Sequence, residues 1–255
     1  MKQLFSPTLK YIGLSVIAIL LMGKSQMVQS NKICKDVVVE ILPGENNFFL
    51  DIDGIRAEVG ASSDVLGQRI RNISLHEMES KLEQNAFIEN AEVWIDNLDN
   101  LHLQAKFREP IARVIGAQGQ DFYIDKNNLK MPICPNFSAR CILIRGYFQE
   151  EVQDRDTLRH PYLREMLPII YFLTHEPLFN AMVSEIVIDK NGEYRLLPQL
   201  GNMEIYFGKA DRITEKFNVL LRFYKYVIPR VGWDYYTSLN LSYENQIIAT
   251  KNNQS

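Results

Sequence analysis

Hydrophobic and polar positions alternate with a period of two along two adjoining stretches. Ala91, Val93 and Ile95 interleave with Glu92, Trp94 and Asp96; Leu101, Leu103, Ala105 and Phe107 interleave with His102, Gln104, Lys106 and Arg108. Successive side chains of an extended chain point to opposite faces, so each stretch predicts a strand with one buried and one wet face. Asn97 to Asn100 supplies the turn chemistry that joins them into a hairpin. Upstream, the β-rich apolar run Val37 to Leu42, closed by Pro43-Gly44, predicts a strand. Between the two, Ser74 with Glu77 makes a capping box, and Leu75, Met78 and Leu82 recur at helical spacing, which predicts a helix over 75–83. The stretch from Val37 to Pro110 thus reads as one compact α+β unit.

A strand-rich unit follows. Ile111 to Ile115, Phe122 to Ile124 and Cys141 to Ile144 are short apolar runs separated by turn residues and read as a β-meander. His160-Pro161 opens a helix with proline at its first position, with Leu163, Leu167, Ile170 and Tyr171 turned inward and Pro168 expected to kink or shorten it. Val183 to Ile188, Tyr194 to Leu197 and Met203 to Phe207 predict three more strands. Asp211 is the expected cap of a second helix whose stripe is Ile213, Phe217, Leu220, Leu221, Tyr224 and Ile228. Leu239, Leu241 and Tyr243 alternate with Asn240, Ser242 and Glu244 in a closing strand, and Ile247 to Thr250 suffices for one further short strand.

The N-terminus adds a different signal. Tyr11 to Gly23 is uncharged and lies between Lys10 and Lys24. At a 1.5 Å rise it covers about 20 Å, short of the roughly 30 Å hydrocarbon core, so a span would borrow flanking residues while the lysines snorkel. A cleaved signal peptide ending at Val28-Gln29-Ser30 is the other reading. Either sends the bulk of the chain across the membrane, and the lysines before the run keep the N-terminus cytoplasmic.

Composition narrows the chemistry. Across 255 residues, a hydrophobic fraction of 46% and a charged fraction of 23% support a packed core and exclude disorder, while a net charge of -3 offers no basic footprint for nucleic acid. Cys34, Cys134 and Cys141 form no C-x-x-C pair; Cys134 and Cys141 either bridge in an oxidising compartment or sit buried as small hydrophobes. The histidines His76, His102, His160 and His175 lack metal-ligand spacing, and there is neither a G-x-S-x-G elbow nor a Gly-rich phosphate loop. Asp51 and Asp53 lack the other ligands of a calcium loop and fit a turn or helix N-cap. No metal, cofactor or catalysis is expected. The aromatic set Phe223, Tyr224, Tyr226, Trp233, Tyr235, Tyr236 and Tyr243 fits core and rim, or a protein-binding edge.

Residues 82–93, Leu-Glu-Gln-Asn-Ala-Phe-Ile-Glu-Asn-Ala-Glu-Val, followed by Leu101 to Phe107 and Arg108-Glu109-Pro110-Ile111-Ala112-Arg113, resemble the end of a POTRA domain. Tyr123-Ile124-Asp125 with Asn127-Asn128-Leu129, and Ser238-Leu239-Asn240-Leu241-Ser242-Tyr243, resemble the first hairpin and closing strand of the β domain in the bacterial cell-division family FtsQ/DivIB. Ser242 and Asn240 stand where many relatives carry arginine and aspartate, and the cytoplasmic tail is shorter than in several of them.

The resemblance implies an α+β protein: cytoplasmic tail 1–10, transmembrane anchor 11–30, POTRA-like domain 31–110, periplasmic β domain 111–250 with two helices and an exposed C-terminal edge strand, and polar tail 251–255. It implies a non-enzymatic divisome scaffold of the inner membrane, concentrated at the septum. Such a scaffold would bind FtsB/FtsL-like partners, with septal peptidoglycan synthase components as further candidates, without cofactor or small-molecule substrate. Partner binding falls on the stretch Tyr243 to Lys251, and within it on Tyr243, Glu244, Asn245, Ile247 and Ile248. Ile247 and Ile248 are adjacent, so in an extended segment one faces a partner; the other reading buries both in the domain. The alternative is a periplasmic ligand-binding or envelope-assembly POTRA module.

Overall fold

The computed structural model describes residues 32–42, 49–60, 65–135 and 137–252. The chain divides into two compact units at Phe107/Arg108. The expected tail and anchor, 1–30, lie outside the described residues; among those, no helix is long and apolar enough to cross a membrane.

The first unit contains β1 (Val37–Ile41), α1 (Ile52–Glu58), α2 (Leu75–Gln84), β2 (Ile88–Ile95) and β3 (Leu101–Phe107). Its sheet order is β1-β3-β2, with β1 parallel and β2 antiparallel to β3. The alternation sorts as expected: Ala91, Val93, Leu101, Leu103, Ala105 and Phe107 are buried with Ile55, Met78 and Leu82. Asp51 is the N-cap of α1, its carboxylate accepting the Gly54 N–H at 2.7 Å. Ser74 is the N-cap of α2, but its side chain makes no capping bond, so the expected capping box is not formed. In the hairpin turn, Asp96 accepts the N–H groups of Leu98 and Asn100, both at 2.8 Å, and Asp99 takes the left-handed conformation.

The second unit carries a nine-stranded sheet. Its strands are β4 (Pro110–Gly116), β5 (Asp121–Asp125), β6 (Lys130–Pro132), β7 (Ile142–Gly146), β8 (Val183–Ile188), β9 (Tyr194–Pro198), β10 (Glu204–Gly208), β11 (Tyr236–Asn240) and β12 (Ile248–Lys251). Their order is β12-β11-β10-β9-β8-β7-β4-β5-β6. The expected meander is corrected here: β7 pairs parallel with β4, on the side away from β5, because the loop after β6 crosses over instead of turning back. Helices α3 (Pro161–His175), α4 (Pro177–Met182), α5 (Ile213–Tyr226) and α6 (Ile228–Val231) complete the unit.

One face of this sheet is the core face. The register joins Val114, Ile144, Ile186, Leu196, Ile205 and Leu239 into one row, all fully buried in a single cluster with the helix side chains. Pro168 neither ends nor shortens α3, whose Leu163, Met166, Ile169, Ile170 and Leu173 are buried; that burial offsets the missing N–H bond. Tyr171 points outward, 64% exposed, contrary to its expected place in the stripe. On α5, Phe223 takes the buried position expected of Leu221. The expected cap is also corrected: Arg212, in the left-handed conformation, is the N-cap, and the Asp211 carboxylate instead holds the buried ammonium of Lys216.

Candidate functional site

An antiparallel partner satisfies only alternate residues of an edge strand, so the free groups of β12 can be assigned one by one. The register is Asn240↔Ile248, Leu239↔Ala249 and Ser238↔Thr250. The Asn252 N–H donates to the Tyr235 carbonyl at 2.9 Å, and the Thr237 hydroxyl donates to the Thr250 carbonyl at 3.4 Å. Even-numbered residues therefore turn their backbone groups toward β11. The N–H and C=O groups of Ala249 and Lys251 face away from β11, and no strand lies beyond β12 in the sheet among the described residues.

Side chains sort by the same alternation. Ile247 and Ala249 pack against the core cluster, while Ile248, 48% exposed, and Thr250 stand on the opposite, open face. Ile248 ends a row across that face, beyond Asn240 and Tyr206, and the Arg195 guanidinium lies 6.0 Å from the Tyr206 ring centroid. Lys251 places its ammonium 5.5 Å from the Tyr235 ring centroid, and the hydrogen bond to Tyr235 raises its pKa.

The other sequence-picked residues lie in the approach to the edge. The strand expected to reach Tyr243 stops at Asn240, whose side-chain oxygen accepts the Ser242 N–H at 2.9 Å and turns the chain. Tyr243, 50% exposed, Glu244 and Asn245 occupy that turn. Two contacts from the start of α5 pin it: Arg212 donates to the Ser242 carbonyl at 3.0 Å, and Glu215 accepts the Asn245 N–H at 3.0 Å. Asn245 has φ +54, a conformation asparagine tolerates better than most residues. The structure thus brings Ile247 and Ile248 to the edge and leaves Tyr243, Glu244 and Asn245 beside it. Ala249 and Lys251 lie within the expected stretch but are not singled out by sequence, because their contribution is backbone and carries no side-chain signature.

The far edge of the same sheet is closed. β6 is three residues long and ends in Pro132, which has no N–H to offer. Its outer side is paired by the loop: Lys130 N–H donates to the Asp156 carbonyl and Arg155 N–H to the Lys130 carbonyl, both at 2.9 Å. A buried ion cluster locks this arrangement. The Lys130 ammonium meets Glu150 at 2.5 Å and the Glu151 carbonyl at 2.7 Å, while Arg108 reaches Asp125 at 2.8 Å, Asp154 at 2.7 Å and the Lys130 carbonyl at 2.8 Å. Burial alone would raise the Glu150 carboxyl, but Lys130 and the N–H groups of His160 and Arg159 outweigh it and lower its pKa. Arg108 of Arg-Glu-Pro and Asp125 of Tyr-Ile-Asp, two motif positions far apart in sequence, meet in this cluster.

Among the described residues no group of His, Cys, Asp or Glu is arranged to hold a metal. Cys34 and Cys141 carry free thiols, and burial pushes that of Cys141 up to about 12.

Residues 109–250 match the family described as FtsQ/DivIB, C-terminal related, and residues 32–106 match the POTRA-like domain. No curated protein matches the chain.

Proposed function

From the premise that the chain belongs to the FtsQ/DivIB C-terminal related family and carries a POTRA-like domain, we propose that it is a non-enzymatic divisome scaffold, anchored in the inner membrane, that recruits FtsB/FtsL-like partners by strand addition to β12. The observation that supports this most is the outward backbone row of Ala249 and Lys251 on a strand that ends the sheet, whose other end is closed. An added strand would continue the ladder there, with main-chain bonds supplying affinity. Specificity would come from alternate side chains: Ile248 and Thr250 meet the partner on the open face, while Tyr243, Glu244 and Asn245 form the rim at one end.

Recognition by this route needs no reacting group and no cofactor. By linking early to late division proteins, the chain would act in septum formation from the periplasmic side.

The test is depletion in the native host, complemented with the full chain or with a chain ending at Glu244. The expected outcome is filamentation on depletion, rescue by the full chain, and a shortened chain that reaches midcell without restoring division. Normal division in depleted cells, or a fluorescent fusion spread evenly around the envelope, would reject the proposal in favour of a periplasmic binding or assembly module.

A further inference from the structure

The first unit also has two strand edges, and its helices reach over both. In β2, the side chains of Ala91 and Val93 are buried against the helices, and the ladder to β3 uses the alternate residues, so the N–H groups of Ala91 and Val93 point away from the sheet. Each meets a carboxylate from α2. Glu79 accepts the Val93 N–H at 3.0 Å and Glu83 accepts the Ala91 N–H at 3.4 Å. Glu79 and Glu83 are four residues apart, one helical turn, as Ala91 and Val93 are two apart on a strand. One turn of helix spans about 5.4 Å and two strand residues about 6.8 Å, so consecutive outward donors fall opposite consecutive turns of α2.

The opposite edge shows the complementary chemistry. β1 turns alternate residues toward β3: the Asp36 carbonyl accepts from Leu101 and the Leu42 N–H donates to Ala105. Val37 therefore faces outward, and its carbonyl takes a hydrogen bond at 3.1 Å from the Arg56 guanidinium of α1. Anions cover donors on one edge and a cation covers an acceptor on the other.

We propose that Glu79 and Glu83 are edge guards: they occupy the donor row of β2 and keep the first unit from taking an added strand. Exposed edges invite pairing with another chain, and charged side chains are one way in which proteins prevent it. The strand excluded first is β2 of a second copy, because an eight-residue edge strand is long enough to template its own pairing. Strand recruitment is then confined to β12 of the second unit.

The pairing is residue-specific, and so is the test. Amide hydrogen exchange is read at single-residue resolution on the full chain in detergent. Glu79→Ala is expected to speed exchange at Val93 at least tenfold and leave Ala91 slow; Glu83→Ala is expected to do the reverse. The glutamine variants, whose amide oxygens still accept, should keep both amides slow. The Gln104 amide in the central strand β3 reports whether the fold is intact. In the double variant E79A/E83A, light scattering should show concentration-dependent self-association beyond that of the wild type. Wild-type exchange at Ala91 and Val93 in both single variants, acceleration shared equally with Gln104, or a double variant with unchanged mass would each overturn the proposal.

Discussion

Ala249→Pro separates the outer side of β12 from its inner side. Proline removes an N–H, and at position 249 that donor points away from β11, so no bond of the β11–β12 ladder is lost. The residue before a proline is driven to extended backbone, which Ile248 already has as the first residue of β12. Domain stability should therefore fall by less than about 1 kcal/mol. A strand added to β12 loses one hydrogen bond, worth about 0.5–1.5 kcal/mol, and leaves its own carbonyl facing the proline ring, a further 1–3 kcal/mol if desolvated. A combined loss of about 1.5–4.5 kcal/mol raises Kd by a factor between about 12 and about 1,600. The assay is interferometry between the full chain in detergent and the host's own FtsB-like protein, with thermal melting in parallel. Thr250→Pro is the contrast, since it removes an inward donor and should cost the fold itself. If Ala249→Pro melts like the wild type and binds within about threefold of it, strand addition at β12 is refuted.

Three further outcomes follow from the buried polar groups and the thiols. Arg108→Met leaves Asp125, 1% exposed, without its guanidinium, and should cost about 3–5 kcal/mol in urea unfolding; a loss below about 1 kcal/mol would contradict the cluster's role. Glu150 has a pKa lowered in the folded chain, so its stabilisation is complete above the unfolded value near 4.3 and fades as pH falls through the folded value; the gap in urea midpoint between wild type and Glu150→Gln should be constant from pH 7 to 5 and shrink below about pH 4. A gap unchanged at pH 3 would count against the Lys130 pairing. Cys141, pushed up to about 12, holds little thiolate at pH 8, so iodoacetamide should label it about a thousandfold more slowly in the native chain than in urea; equal rates would refute its burial.

What could be read in advance depended on whether a feature was local. The 91–107 hairpin, the helix expected over 75–83, the Asp51 cap and the opposed faces of Ile247 and Ile248 all follow from spacings of a few residues, and the structure shows each of them, the helix running one residue further. The parallel pairing of β4 with β7 does not, because nothing in either apolar run specifies a distant neighbour. Local reading also failed where a side chain had a stronger distant partner. Asp211 was the natural cap, but the buried ammonium of Lys216 claims its carboxylate. Arg108 fell among the polar positions of its alternating stretch, and only the fold shows it, with Lys130 and Glu150, paired and buried. The site was legible to the same extent: the apolar pair Ile247/Ile248 stood out, whereas the free donors of Ala249 and Lys251 depend on a register set by β11.

The placement of β12 also sets how the molecule responds to force. Bonds of an antiparallel ladder lie perpendicular to the strands, so a pull along the axis of β12 loads them together in shear, whereas a pull across it peels them one after another. Any such load passes from β12 into β11 and from there into β10 through the three-residue parallel register Glu204↔Ser238 to Tyr206↔Asn240. That short junction is braced by Leu239 and Leu241, buried to 0% and 1% exposure. Tension directed along the strand would thus be borne by a hydrogen-bond ladder and an apolar rivet in parallel, and tension directed away from the sheet by one bond at a time.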